Sequence, residues 1–147
     1  MVELSKKALR SWTRLMRAHA RTSAAIEERL KSAGLPAFAC YALLNELERG
    51  PVDGLRPFEL EHATGEPQYG VSRLSERLAK AGLIRRTECA DDRRGWRISL
   101  TDEGRAMRGR MWDVYSAVLA ETYVDRLGDK QIKALDDILG DLVKRKP

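Results

Sequence analysis

Arginine dominates the part of this chain where side chains could do chemistry. Residues 67–97 carry eight basic side chains (Arg73, Arg77, Lys80, Arg85, Arg86, Arg93, Arg94, Arg97) against four acidic ones, Glu76, Glu88, Asp91 and Asp92. Residues 46–66 reverse the sign, with six acidic groups and two basic ones. A guanidinium presents a planar fork of donors that matches phosphate oxygens and the edge of guanine. Neighbouring segments of opposite sign point to a face set aside for an anion, or else to ordinary solvated helix faces. The whole chain agrees in sign: 27 Lys and Arg against 22 Asp and Glu leave a net charge of +5. That balance favours a polyanionic partner without proving one.

Other chemistries find little support. The sequence has no GxSxG elbow, no GxxxxGK[ST], no HExxH and no GxGxxG, so no enzyme activity and no cofactor are expected. Asp91-Asp92 sits in a turn and Asp136-Asp137 on a polar helix face, where solvated charge explains them. His19 and His62 lack the neighbouring ligands that would define a metal site. Cys40 and Cys89 make neither a disulfide framework nor a zinc quartet. Cys40, between Ala39 and Tyr41, reads as a buried structural thiol rather than a redox sensor, and Cys89 as partly exposed at a strand end. The 147 residues suit one domain, and 43% apolar with 33% charged residues suits a folded one. No apolar run reaches the roughly 18 residues of a membrane span, and none at the N-terminus resembles a signal peptide. A cytoplasmic location is the default expectation.

The elements that position these residues follow from periodicity and punctuation. Apolar residues from Leu4 to Leu30 (Ala8, Trp12, Leu15, Met16, His19 and Ile26 among their line) recur at helical steps, and Gly34 and Pro36 close that helix. Ala37–Arg49 is a second helix, stopped by Gly50-Pro51. Pro57–Thr64 is a short third one, broken by Gly65. A fourth starts at Pro67, runs to Ala81 and ends at Gly82 as a left-handed cap. Short helix, turn and second helix outline a helix-turn-helix. Leu83–Cys89 and Trp96–Leu100 then read as two strands around a polar turn that carries Arg93 and Arg94, which makes a wing. Thr101 caps a long helix to about Val124, and Asp129 caps a last one through Val143. The expected fold is mainly α with a small β-hairpin: a winged helix-turn-helix lobe over 37–101, with helical regions at 1–34 and 102–147.

Two stretches resemble the MarR family of winged helix-turn-helix transcription regulators. Val71-Ser72-Arg73-Leu74-Ser75-Glu76-Arg77-Leu78-Ala79-Lys80-Ala81-Gly82-Leu83-Ile84 resembles the family's recognition helix and its exit. Asp92-Arg93-Arg94-Gly95-Trp96-Arg97-Ile98-Ser99-Leu100-Thr101-Asp102-Glu103-Gly104 resembles its wing and the Leu-Thr-x-x-Gly start of the next helix. The resemblance implies an obligate homodimer built from the terminal helices, binding double-stranded DNA at a pseudo-palindromic operator. It also implies a ligand-responsive repressor, with a small-molecule effector as a further partner. Three long apolar stripes fit dimerisation; their alternative is to fold back on their own lobe.

On the recognition helix, Val71, Leu74 and Leu78 share one face, with Tyr69, Ser72, Arg73 and Glu76 opposite and Arg77 at the edge. Gln68 in the first turn can pair with adenine and Arg73 with guanine, while Tyr69 and Ser72 suit phosphate or a thymine methyl. In the wing, Arg94 matches the family's Asp-x-Arg signature, whose arginine enters the minor groove. Arg93 is expected beside it, and Arg97 either reaches the DNA backbone or pairs with Glu88. Gly70 costs the helix roughly 1 kcal/mol relative to alanine, and Glu66 at its entrance opposes phosphate; both depart from the family pattern. Trp12, His19, Tyr41, Trp112 and Tyr115 are plain core or, as the resemblance implies, lining for an effector cavity. A second reading keeps the winged dimer but makes it a small-molecule-binding or protein-interaction module without an operator.

Overall fold

The computed structural model describes residues 3–64, 68–89 and 95–144, with Gln68 and Tyr69 in backbone only. In chain order its elements are α1 (Lys6–Ser32), α2 (Phe38–Arg49), α3 (Pro57–Thr64), α4 (Gln68–Lys80), β1 (Ile84–Glu88), β2 (Trp96–Leu100), α5 (Asp102–Thr122), a 3₁₀ turn (Val124–Arg126) and α6 (Asp129–Val143). This is the mainly helical architecture with one antiparallel hairpin that the residue pattern predicts. Pro67, expected to open α4, lies outside the described residues.

Helix ends are set locally. Ser5 caps α1, its Oγ accepting from the Ala8 N–H at 3.1 Å, so the helix begins two residues after Leu4. Gly34 closes it at φ +68°, with its N–H donating to the Lys31 carbonyl and the Leu35 N–H to the Leu30 carbonyl. Gly82 closes α4 in the same way at φ +74°, through Gly82 to Ala79 and Leu83 to Leu78. Both are Schellman caps, which need the left-handed residue that glycine supplies. At the start of α5 the Thr101 Oγ1 accepts from the Gly104 N–H at 3.0 Å, as predicted. The start of α6 differs. Gly128, not Asp129, is its N-cap, because the Gln131 Oε1 reaches back to accept the Gly128 N–H at 3.0 Å. Asp129 becomes the first helical residue, where its charge favours the helix dipole.

The chain divides into two compact units, residues 30–114 and residues 1–29 with 115–147. In the first, Leu43, Leu44 and Leu47 of α2, Leu60 of α3, and Val71 and Leu78 of α4 are buried with Ile84 and Ile98 of the hairpin. Leu55, in the loop after α2, pairs with Ile98 as a one-residue third strand, both N–H···O distances being 2.9 Å. Gly54 permits this with φ +92°; a Cβ there would overlap the Ile98 carbonyl. In the second unit Ile26 and Val118 are buried. Leu4 just before α1, Trp12 and Met16 of α1, and Ile138 and Leu142 of α6 are exposed, Trp12 to 61% and Leu142 to 67%. His19, expected to be packed on the apolar stripe, is exposed, with Nε2 3.5 Å from the Ser23 Oγ. Among the described residues no helix is long and apolar enough to cross a membrane.

Among the described side chains of α4, Ser75 is the one that is both buried and polar. It is fully buried, and among the described residues its Oγ has no hydrogen-bond partner. A desolvated hydroxyl without a partner costs about 1–3 kcal/mol, and alanine is also the better helix former. Ser75→Ala should therefore raise the stability measured by urea unfolding by about 1 kcal/mol. A fall in stability would mean that the hydroxyl is bonded in solution.

Candidate nucleic-acid interface

The amphipathic pattern of α4 decides which side chains can reach a ligand. Val71 and Leu78 are buried and Leu74 is half-buried, anchoring the helix over the core, while Ser72, Arg73, Glu76 and Arg77 face solvent. Glu76 is paired with Lys80 at 3.3 Å on that outer surface. The backbone of Gln68 and Tyr69 forms the first turn of α4; their side chains lie outside the described atoms.

The exit of α4 is tied directly to the wing and to α5. Thr101 Oγ1 donates to the Gly82 carbonyl at 2.7 Å while accepting from Gly104, and the Thr101 N–H donates to the Leu83 carbonyl at 3.2 Å. One threonine thus fixes the ends of three elements against one another. The hairpin register sets Ile84 opposite Leu100, Arg85 opposite Ser99, Thr87 opposite Arg97 and Glu88 opposite Trp96. Residues directly opposite share a face, so Arg85, Thr87, Arg97 and Ser99 lie together on one side. They line an open groove of about 420 Å³ with Val52 and Asp53 from the loop after α2. On the other face the Arg86 guanidinium covers the Trp96 ring at 4.6 Å. The Cys89 N–H donates to the Gly95 carbonyl at 3.0 Å, closing the hairpin below its tip. The tip, with Arg93 and Arg94, lies outside the described residues.

Arg97 has a partner that neither expectation named. The register puts Glu88 on the opposite face, and Arg97 Nη1 donates to the Gly54 carbonyl at 3.0 Å. The expected pairing with Glu88 is thereby corrected: this arginine braces the wing against the loop that carries Leu55. Arg85, on the same face, is exposed and is a cation the residue-by-residue reading left without a role.

Of the five effector candidates, Tyr41 and Trp112 meet within the unit of residues 30–114. Tyr41 is buried and stacks between Phe38, at 5.6 Å, and Trp112, at 6.3 Å. Burial pushes the Tyr41 phenol up from its ordinary pKa, and the nearby Arg108 charge pulls the other way. Arg108 lies 5.9 Å from the centre of each of the Tyr41 and Trp112 rings. It also donates from Nε and Nη2 to the Asn45 Oδ1. Glu48 bridges two arginines, Arg105 and Arg108, at 3.0 Å each. This side-chain network joins α2 to the first half of α5. Trp12 and His19 are exposed and Tyr115 is half-buried; all three belong to the unit of terminal helices. Among the described residues no group of three or more His, Cys, Asp or Glu could hold a metal ion. Cys40 is buried and Cys89 half-buried, both as free thiols.

Known proteins share this arrangement. The family model of the MarR family matches residues 36–95, which span the helix-turn-helix and the first half of the wing. The HTH-type transcriptional regulator PrsX of Escherichia coli is 29% identical over 116 residues, covering 79% of this chain and 69% of that one. A MarR family transcriptional regulator of Streptomyces coelicolor, solved in complex with DNA, is 26% identical at a TM-score of 0.89, covering 97% of this chain and 89% of the other. BpsR of Bordetella bronchiseptica, whose DNA binding is regulated by 6-hydroxynicotinic acid, shares the fold at a TM-score of 0.82 and 21% identity, covering 92% of this chain and 99% of that one.

Proposed function

We propose that the chain is a MarR family winged helix-turn-helix transcriptional regulator and, from that premise, a homodimeric, ligand-responsive repressor of a pseudo-palindromic operator. One observation carries the reading: α4 buries Val71 and Leu78 and turns Ser72, Arg73 and Arg77 outward, in the same unit as a wing bearing further arginines. A helix so mounted can enter a major groove while the hairpin follows the backbone. Gln68, Tyr69, Arg93 and Arg94 complete the reader by the family pattern, and the DNA-bound relative from Streptomyces coelicolor supports it.

The exposed apolar residues of α1 and α6 support a second copy as their cover, because monomers rarely leave such rows in water. A two-fold dimer is the commonest solution for identical chains. It holds two readers one helical turn apart, roughly 10 base pairs. The regulated binding of BpsR supports an effector for this chain too. A ligand that favours one spacing of the readers over another would shift the population and change operator affinity.

Selecting bound fragments from the host genome and titrating the best against random duplex tests the reading. The chosen fragment should bind about 10³-fold or more tightly than random sequence at physiological salt, and sedimentation should give twice the chain mass. Equal affinity for both duplexes, or a monomer at micromolar concentration, would end it.

A further inference from the structure

The outer face of α1 carries a charge pattern that the operator reader does not use. Lys6, Lys7, Arg10, Arg14, Arg17 and Arg21 are all exposed, and no acidic residue lies between Glu3 and Glu27. At about 100° per residue these six cations fall within an arc of roughly 100°. Trp12, Leu15 and Met16 fall on the opposite side of the helix. Among the described residues none of the six cations has an ion-pair partner. Like charges at i, i+3 and i, i+4 repel along a helix, so the stripe weakens α1 unless an anion covers it.

The stripe ends in a concavity. Arg21 and Arg126 line a cavity of about 340 Å³, together with Thr22 and Thr122. Thr122 commits its proton to the Val118 carbonyl at 2.6 Å. Two guanidinium groups and the Thr22 hydroxyl remain as donors, a set that suits a phosphate group.

We propose that the basic stripe of α1, ending at the Arg21–Arg126 cavity, is a second nucleic-acid surface that binds the phosphate backbone of duplex DNA without reading its sequence. The spacing favours a line of phosphates over one small anion: Lys6 to Arg21 spans about 22 Å of helix, and duplex DNA offers one charge per about 1.7 Å. The preference for DNA over an anionic lipid surface rests on the dimer proposed above. There the apolar arc is covered by a second copy and cannot insert between lipids, whereas the cationic arc opposite it stays in water.

The test replaces Arg10, Arg14, Arg17 and Arg21 together by glutamine, whose helix propensity is close to that of arginine, with circular dichroism to verify the fold. Affinity for random duplex is then titrated against salt for both proteins. Each lost phosphate contact lowers the slope of log affinity against log salt by about 0.9, so the variant should be shallower by about 3 to 4. From about 50 to about 200 mM salt, the unaltered protein should then lose about 100-fold more affinity than the variant. A photo-crosslinking residue at position 14 should attach to the duplex, and one at position 16 should not. An unchanged slope with no crosslink at position 14 overturns the proposal. So does loss of co-sedimentation with phosphatidylserine vesicles while the duplex slope stays put. If neither protein prefers operator over random duplex yet the slope still falls, the stripe stands and the operator reading fails on its own.

Discussion

Gly104→Ala should destabilise the protein by about 3 kcal/mol in urea unfolding, whereas Gly109→Ala, one and a half turns along the same helix, should leave stability unchanged or raise it by up to about 1 kcal/mol. Both glycines lie within α5 and both substitutions improve intrinsic helix propensity, so the contrast isolates packing. A Cβ at Gly109 meets nothing within 4 Å. At Gly104 it would overlap the Leu83 carbonyl oxygen and come within 2.8 Å of the Leu100 Cδ1. The obstacle is backbone, held by the Ile84–Leu100 pairing beside it, so it cannot rotate away as a side chain would. The helix start must retreat instead. That movement strains the Thr101 N–H bond to Leu83, the Gly104 N–H bond to the Thr101 hydroxyl and the hydroxyl's own bond to Gly82. Because Gly82 ends α4, the damage also reaches the recognition helix. Comparable stabilities for the two variants, at one protein concentration so that any dimer contributes equally, would show that the Leu83 carbonyl can yield.

The Leu-Thr-x-x-Gly resemblance marked this glycine, and the close approach of two backbones supplies its physical reason. Legibility elsewhere follows the range of the interaction. The helices α3 and α4, the Gly82 cap and the Thr101 cap depend on residues within a few positions of one another, and periodicity with punctuation is enough to find them. The Arg97–Gly54 bond crosses 43 residues and the Arg108–Asn45 bond 63, and no local pattern encodes either. The Leu55–Ile98 bridge is one residue long, too short to alternate. His19 illustrates another limit. Helical spacing places it correctly on the apolar stripe, but spacing tells which residues share a face and not what covers that face. The same limit applies to the cations of α1: attention to the apolar arc left the opposite arc unread. On α4 the two kinds of information coincide, since a core exists beneath one face and the other must therefore point outward.

That outward face makes Arg73→Ala the most informative change to the reader. A bidentate arginine–guanine contact contributes about 1–3 kcal/mol of base discrimination. The proposed two-fold dimer would make the contact in both half-sites, so operator affinity should fall by about 2–6 kcal/mol, between about 30-fold and about 20,000-fold. Random duplex offers no matched guanine, and there the loss should be limited to one charge per chain. Arg73→Lys separates geometry from charge. Lysine keeps the cation and the salt dependence, but it lacks the planar fork that meets two acceptors on one base. The lysine variant should therefore keep the salt slope while losing preference at one base pair in each half-site, as read by binding-site selection. Arg77, at the edge of the same exposed face, offers the comparison: its removal should weaken all duplexes alike and leave the selected sequence unaltered. If Arg73→Ala instead behaves as Arg77→Ala does, the recognition helix reads its operator from its first turn alone, and Arg73 belongs with the phosphate contacts.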